Sequence, residues 1–289
     1  MKPEVVAESL AFPEGPVVLA DGRVAFCEEC GSRVSVFDGR EVSIIAQTGG
    51  SPNGATLGAD GALYVAQNGG VVGSWRAKPM ISPSVQRIER SGAVKELLKT
   101  TAHGPLLAPN DICFGSDQRL YFTDSGHPFD PNNRTHPGAI YAVSGDGVAE
   151  QVMDLGPVYP NGLGFQCDGR LLWVETYERH VCALENGRRK VLCQLPEGHL
   201  PDGLAVTTTG EILIASFTSH GISIVSSQGD YLGLIELDSS SHPTNCAFQD
   251  ETLWVTDVGD YSIDFFQGRL WRVPTKFKGF PLPQGSIPG

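Results

Sequence analysis

The chain has 289 residues, of which 35 are glycine and 20 proline, and a formal net charge of −12. The acidic charge argues against nucleic acid or an anionic membrane surface as a partner, because either would be repelled. No basic and then apolar leader opens the chain, and no apolar run approaches the roughly 20 residues of a membrane span. We therefore expect a soluble, cytoplasmic protein.

The seven cysteines are an odd number, and we interpret them as reduced, small core residues. Cys113, Cys182 and Cys246 lie inside apolar, strand-like segments, which favours burial. Cys27 and Cys30 have the spacing of half a zinc site. Since no second cysteine pair or histidine pair accompanies them, that spacing does not predict a zinc centre.

One short pattern occurs six times along the chain: a proline, a polar residue, an apolar run, a tight turn and a second apolar run. The copies, in chain order, are 13-PEGPVVLADGRVAF-26, 51-SPNGATLGADGALYV-65, 109-PNDICFGSDQRLYF-122, 160-PNGLGFQCDGRLLWV-174, 201-PDGLAVTTTGEILI-214 and 243-PTNCAFQDETLWV-255. Each copy predicts a β-hairpin, and in four of the six an Asp-Gly or Thr-Gly between the apolar runs favours a tight turn.

Two further strand-like pieces follow each hairpin, for example 140-IYAV-143 and 148-VAEQVMDL-155 after the third copy. Units of roughly 40 to 57 residues with four strands each are typical of a propeller. The sequence therefore predicts an all-β, six-bladed β-propeller that forms one domain over residues 1–289, with a proline-broken tail from about residue 274. The segment MKPEVVAESLAF is expected to supply the missing strand of the blade that begins at Pro243, which would close the ring.

The residue after each proline is expected to face the central channel, because the first strand of every propeller blade lines the axis. These six residues are Glu14, Asn53, Asn110, Asn161, Asp202 and Thr244. Each offers an oxygen and none is Cys or His, so the ring predicts one divalent metal ion, Ca²⁺ or Mg²⁺ with Mn²⁺ or Zn²⁺ possible by substitution. Asn and Asp before Gly are also common turn formers, but that alternative does not explain the glutamate at position 14.

Two long loops are predicted above the channel, at 68–85 and 125–138. Long loops over a charged concavity are where substrate walls usually lie. The candidate substrate-binding residues are Asn53, Asn110, Trp75, Arg76, His127, Phe129 and Arg134.

The pattern resembles the SMP-30/gluconolactonase/LRE family. The resemblance is carried by 12-FPEGP-16, 109-PNDICFGSDQRLYFTD-124, 160-PNGLGF-165, 201-PDGLAV-206 and 243-PTNCAF-248. It implies a metal held by Glu14, Asn161 and Asp202, with Asn110 as a further ligand or a substrate contact. Ala108 stands where the animal gluconolactonases have an arginine that holds the sugar acid, which implies a different substrate.

The resemblance implies a metal-dependent hydrolase that opens a lactone, with Asp202, or a metal-bound water that Asp202 directs, delivering the attack. The alternatives are a hydrolase of phosphotriesters or phosphofluoridates, and a non-catalytic propeller whose central ion only ties the blades together. A serine hydrolase is disfavoured because the sequence has no G-x-S-x-G motif. The expected partner is a small lactone or ester, and the expected assembly is a monomer or a small homo-oligomer.

Overall fold

Each of the six repeats forms the first two strands of a four-stranded antiparallel sheet in the computed structural model, which describes residues 2–288. We number the sheets as blades 1 to 6 in chain order. Blades 1 to 3 consist of Pro13–Val18, Val24–Glu28, Arg33–Phe37 and Val42–Gln47; Pro52–Leu57, Leu63–Gln67, Ser84–Ile88 and Val94–Leu98; and Pro109–Phe114, Leu120–Asp124, Gly138–Val143 and Ala149–Gly156. Blades 4 to 6 consist of Pro160–Phe165, Leu171–Glu175, His180–Glu185 and Arg188–Gln194; Pro201–Val206, Ile212–Ser216, Gly221–Val225 and Tyr231–Glu236; and Pro243–Gln249, Thr252–Asp257, Gly268–Pro274 and Glu4–Leu10.

Three short elements lie outside the blades. They are the hairpin of Val71–Val72 with Trp75–Arg76, the hairpin of Thr100–Thr101 with Gly104–Pro105, and the 3₁₀ turn Glu29–Gly31. The predicted all-β, six-bladed architecture is confirmed. Residues 2–288 contain no helix with the length and hydropathy of a membrane span.

The N-terminal strand closes the ring, as expected. Glu4–Leu10 pairs antiparallel with Gly268–Pro274 and becomes the outermost strand of blade 6, so the last blade contains the beginning of the chain. A second link joins blades 6 and 1 at the axis, where Thr244 Oγ1 donates a hydrogen bond to the carbonyl of Pro13 at 2.7 Å. Closure leaves no long unpaired strand edge between the first and last blades.

The first strands of the blades converge on the axis, and the glycine that follows most of the post-proline residues makes this convergence possible. A Cβ atom at Gly162 would lie 2.5 Å from the carbonyl oxygen of Asp202 in the next blade. One at Gly54 would lie 2.5 Å from Oδ1 of Asp111. Both distances are shorter than van der Waals contact allows, so the glycines in Pro-Asn-Gly let neighbouring strands approach closely.

Apolar side chains fill the wedges between blades. Between blades 2 and 3, for example, Tyr64 and Phe114 meet edge to face with ring centroids 5.1 Å apart, and both are fully buried. The residues after Pro274 form no blade strand and cross the lower end of the channel. Phe280 donates its backbone N–H to Val206 in blade 5, and Ala59 in blade 2 donates to Gly285.

Candidate active site

A cavity of about 280 Å³ opens at the upper end of the channel, where the first strands begin. Five of the six post-proline side chains line it: Glu14, Asn53, Asn110, Asn161 and Asp202. In blades 2 to 5 the strand pairing slips by one residue directly after the proline, as between Pro160 and Leu163. Such a β-bulge re-aims a side chain, and here it accompanies the turn of each polar residue toward the axis.

Thr244 does not line the cavity, which corrects the expectation of a six-membered ring. Its hydroxyl is fully buried and is hydrogen-bonded to Pro13 and to Thr256 Oγ1. In blade 6 regular pairing resumes at Asn245, one residue earlier than in blades 2 to 5. The threonine hydroxyl therefore links neighbouring strands by hydrogen bonds. Five of the six post-proline side chains, not six, line the cavity.

A second set of residues, which the sequence analysis missed, lies next to this ring. In every blade the carbonyl of the residue before the proline accepts a hydrogen bond from the N–H of the residue after the second strand. In the first five blades those later residues follow the ring residues at a constant offset of fifteen positions (14 to 29, 53 to 68, 110 to 125, 161 to 176 and 202 to 217). They are Glu29, Asn68, Ser125, Thr176 and Phe217, and all but Ser125 line the cavity.

Glu29 is the most important of the missed residues because it adds a third carboxylate to the cavity. The residue is only 3% exposed, and its two oxygens accept hydrogen bonds from Asn53 Nδ2 at 3.1 Å and Asn68 Nδ2 at 2.8 Å. The constant offset from Glu14 was a signal that could have revealed it. The cavity therefore contains Glu14, Glu29 and Asp202, which together carry three negative charges when ionised.

Burial and mutual repulsion raise the pKa values of all three acids. Burial raises the pKa of Glu14 to about 8, and the Asp111 carboxylate below it adds to the rise. The pKa of Asp202 is raised well above its usual range, first by burial and then by Glu14 and Glu29. The pKa of Glu29 is raised by burial and by Glu14. A bound cation would relieve this repulsion and favour the ionised forms.

Three buried acids elsewhere in the protein have cationic partners, whereas Asp111 and Asp124 are buried and accept hydrogen bonds from backbone N–H groups. Glu28 is paired with Arg33 at 2.8 Å, Glu175 with Arg189 at 2.5 Å, and Asp257 with Arg269 at 2.7 Å. Among residues 2–288 no arginine, lysine or histidine forms such a pair with the three cavity acids.

Two amide oxygens show the same lack of a partner. Asn53 Oδ1 and Asn110 Oδ1 are buried, and within the described part of the chain neither accepts a hydrogen bond. Unpaired buried carboxylates beside orphaned amide oxygens are a donor set that suits a hard divalent cation. The side chains present therefore fit the metal that the sequence predicted.

Aromatic and aliphatic side chains form the walls above these oxygens. Phe12 and Phe265 lie on one side of the cavity, with ring centroids 6.0 Å apart. Tyr159 and Phe129 lie on another, edge to face at 5.3 Å. The remaining apolar and aromatic lining residues are Val71, Val72, Leu200, Pro201, Phe217 and Tyr261.

Four of the loop residues proposed from sequence do not line the cavity. Trp75 and Arg76 lie in the short hairpin behind Val71 and Val72. His127 packs against the ring of Tyr177, and Arg134 lies over the same ring while pairing with Glu178 at 3.0 Å. Phe129 does line the cavity. A third loop, 258–267 in blade 6, was not singled out from the sequence, and it contributes Tyr261 and Phe265.

A separate cluster of metal-ligating side chains lies in blade 4. Ligand atoms of Glu175, His180 and Cys182 lie within 4.8 Å of one another. The Glu175 carboxylate is already held by Arg189 at both oxygens, and it also accepts a hydrogen bond from Trp173 Nε1. Because the guanidinium supplies the balancing charge, we interpret this cluster as a structural network.

Comparison with known proteins agrees with this geometry. The chain matches the family model described as the SMP-30/gluconolactonase/LRE-like region over residues 12–259. No curated protein gives a significant match.

Solved structures with similar folds include a gluconolactonase from Xanthomonas campestris, which is 25% identical, with 97% of this chain and 89% of that chain covered and a TM-score of 0.75. The calcium-binding protein regucalcin from Agrobacterium tumefaciens is 17% identical, with 98% and 97% covered and a TM-score of 0.78. A luciferin-regenerating enzyme is 16% identical, with 99% of both chains covered and a TM-score of 0.78. The family match spans most of a chain that folds into six blades around an oxygen-lined channel, and this protein belongs to the SMP-30/gluconolactonase/LRE-like family.

Proposed function

We propose that the protein is a divalent-metal-dependent hydrolase that opens a lactone ring. The observation that carries the proposal is the set of unpaired oxygens at the head of the channel, which includes three carboxylates without a cationic partner and two orphaned amide oxygens. Similarity to a gluconolactonase at 25% identity supports the choice of a lactone. The proposed ligands are Glu14, Asn110, Asn161 and Asp202.

The burial of Glu14 and Asp202 suggests which carboxylate serves only as a metal ligand and which one also acts as the base. Glu14 is only 3% exposed and also accepts a hydrogen bond from the Gly15 N–H at 2.9 Å, so its carboxylate suits a fixed ligand. Asp202 is the least buried of the five ring residues and is the better candidate for a base that contacts substrate. Asn161 donates to Thr176 Oγ1 at 3.3 Å, which orients its amide.

The proposed reaction is hydrolysis of the ring ester. A bound divalent cation would polarise the ester carbonyl and stabilise the negative charge that develops on its oxygen. Asp202 accepts a proton from the attacking water, whose oxygen forms a bond to the carbonyl carbon. The ring C–O bond then breaks, the leaving oxygen takes up a proton, and the product is a hydroxy acid that releases one proton at neutral pH.

Proton release in weakly buffered solution tests this proposal. Chelated protein would be re-supplied with Ca²⁺, Mg²⁺, Mn²⁺ or Zn²⁺ and offered sugar, aliphatic and aromatic lactones. We expect metal-dependent acid release that Asp202→Asn abolishes and that Asp146→Asn, at an exposed hairpin turn, leaves unchanged. Equal rates for the chelated and metal-loaded proteins, or full activity of Asp202→Asn, would contradict the proposal.

A phosphotriester is the second candidate substrate. The walls are apolar, and no lysine, arginine or histidine of residues 2–288 lines the cavity, so a neutral triester could enter as readily as a neutral lactone. The same cation would polarise P=O in place of C=O. If no lactone releases acid while metal still raises the melting temperature, a fluoride- or phenol-releasing triester is the next substrate to assay, and a non-catalytic binding propeller would be considered after it.

A further inference from the structure

We infer that the preferred substrate is a neutral lactone that carries an aromatic group, not a polyhydroxylated sugar lactone. This inference rests on the proposed function and identifies the substrate class for the same cavity. Three observations carry it: two strained aromatic residues at the cavity wall, the rings that pack against them, and the charge and polarity of the lining.

Phe12 and Tyr159 are the strained pair. They directly precede Pro13 and Pro160, and both have the left-handed backbone conformation, with φ of 55° and 56°. A bulky residue rarely adopts this conformation, which costs on the order of 1–3 kcal/mol, and such strain persists only where the surroundings impose it. The surroundings are alike in the two blades, since the residue before each strained residue also accepts a backbone hydrogen bond: Ala11 from Cys30 N–H at 3.0 Å, and Val158 from Tyr177 N–H at 3.2 Å.

The two residues stand on opposite sides of the channel. Phe12 enters blade 1 and Tyr159 enters blade 4, and these blades face each other across a ring of six. The aromatic side chains of Phe12 and Tyr159 both line the cavity, next to the post-proline residues Glu14 and Asn161. A flat apolar group bound over the metal ligands would therefore have an aromatic ring on either side.

Neighbouring rings fix both walls. Phe265 packs on Phe12 at 6.0 Å, and Phe129 packs on Tyr159 at 5.3 Å. Tyr177 supports the second wall from behind, 5.2 Å from Tyr159 and 5.4 Å from Phe129. Rings held in this way lose little conformational entropy on binding, so they favour aromatic ligands that match their spacing.

The polarity of the lining disfavours a sugar lactone. The carboxylates and amides are concentrated at the head of the strands, whereas the walls above present mainly ring faces and aliphatic groups. A polyhydroxylated substrate would place several hydroxyls against these faces without partners, and each unpaired buried hydroxyl costs about 1–3 kcal/mol.

The charge of the lining disfavours anions. Glu14, Glu29 and Asp202 together carry three negative charges when ionised, which exceeds the charge of one divalent cation. No cationic side chain of the described residues lines the cavity to offset the excess. Acidic substrates would be repelled, and the carboxylate product of ring opening would be expelled after it forms.

Metal-loaded protein would be tested with 3,4-dihydrocoumarin, δ-valerolactone and D-glucono-δ-lactone. We expect kcat/KM for dihydrocoumarin to exceed that for the gluconolactone by about a hundredfold or more. Phe265→Ala should lower kcat/KM for dihydrocoumarin about tenfold, with little change for δ-valerolactone. Phe266→Ala is the matched control, because the neighbouring ring is exposed and does not line the cavity.

Different results would overturn the inference and the proposed function. Turnover of the gluconolactone at least as fast as that of dihydrocoumarin would overturn the inference and leave metal-dependent lactone hydrolysis standing. If no lactone is opened, the proposed function fails, and binding calorimetry on the same metal-loaded protein still tests the inference. It predicts that dihydrocoumarin binds and that the gluconolactone binds at least tenfold more weakly; equal or reversed affinities would overturn it.

Discussion

Glu28 and Glu29 are adjacent in the sequence, but their carboxylates have different partners and therefore different roles. Glu28 ends the second strand of blade 1 and is held by Arg33 and Ser35, and these bonds keep its pKa below the usual range although burial opposes them. Glu29 is the next residue and faces the channel, and within the described part of the chain its carboxylate accepts hydrogen bonds only from the amides of Asn53 and Asn68. The first is a structural acid, whereas the second lines the cavity without a cationic partner among residues 2–288.

We expect Glu29→Gln to weaken binding of Ca²⁺ by at least about tenfold, because it removes one negative charge close to the cation in a poorly solvated cavity. Isothermal titration calorimetry of the chelated protein measures this. Glu178→Gln is the control, because this carboxylate pairs with Arg134 and does not line the cavity, and it should leave the affinity unchanged. An unaltered affinity in Glu29→Gln would mean that this carboxylate does not contribute to metal binding.

The raised pKa of Glu14 predicts an unusual pH dependence of stability. The value is about 8 in the folded chain against 4.5 for an ordinary glutamate, so the folded state holds this proton more tightly than the unfolded state. The associated stability is fully present below about pH 4.5 and is lost as the pH rises through about 8. Bound Ca²⁺ favours the ionised carboxylate and should offset the loss.

Melting temperatures between pH 5.5 and 8.5, with chelator or with saturating Ca²⁺, test this expectation. The stabilisation by Ca²⁺ should grow steadily across the range. Stabilisation of the same size at every pH would show that protons and metal do not compete for these carboxylates.

At the scale of the strand, the repeated Pro-polar-Gly sequence combines three physical requirements. The proline begins the strand without needing a hydrogen-bond donor, the bulge accompanies the turn of the next side chain toward the axis, and the glycine allows the neighbouring strand to approach. These local rules explain why the blades and most of the ring could be predicted from sequence. Thr244 departs from them because its blade resumes regular pairing one residue earlier.

Gly162→Ala should lower the free energy of unfolding by about 1–3 kcal/mol, because the added methyl group would meet the backbone of Asp202 and Gly203. Chemical denaturation followed by fluorescence measures the change. Gly145→Ala is the matched control, since no atom lies within 4 Å of its added Cβ and its turn is exposed. Equal stability of the two variants would contradict the proposed crowding at the axis.

At the scale of the whole molecule, the parts that repeat could be predicted and the parts that do not repeat could not. Hairpin turns, blade number and ring closure follow from patterns that recur six times. The cavity walls are formed by loops of unequal length, which no repeat pattern predicts. Trp75 and Phe129 were equally good candidates for the wall from sequence, but of these two only Phe129 lines the cavity. The places of Phe12 and Tyr159 could have been predicted, because both residues directly precede repeat prolines. Their left-handed backbone conformation is seen only in the structure.

The segment after Pro274 shows how a non-repeating part stabilises the whole. Ile287 is 1% exposed between blades 2 and 3, and its backbone exchanges hydrogen bonds with the hydroxyl of Tyr64. We expect Ile287→Ala to cost about 2 kcal/mol or more of unfolding free energy through the cavity it leaves. Leu282→Ala, at a largely exposed position, should cost little, and equal effects in thermal denaturation would argue against this anchoring.

Anomalous diffraction from crystals loaded with Mn²⁺ shows whether the channel binds a metal ion. We expect one strong peak at the head of the channel, about 2.0–2.6 Å from oxygens of Glu14, Asn161 and Asp202. A peak at Glu175, His180 and Cys182 instead, or no peak in the channel at millimolar Mn²⁺, would show that the proposed metal centre is wrong.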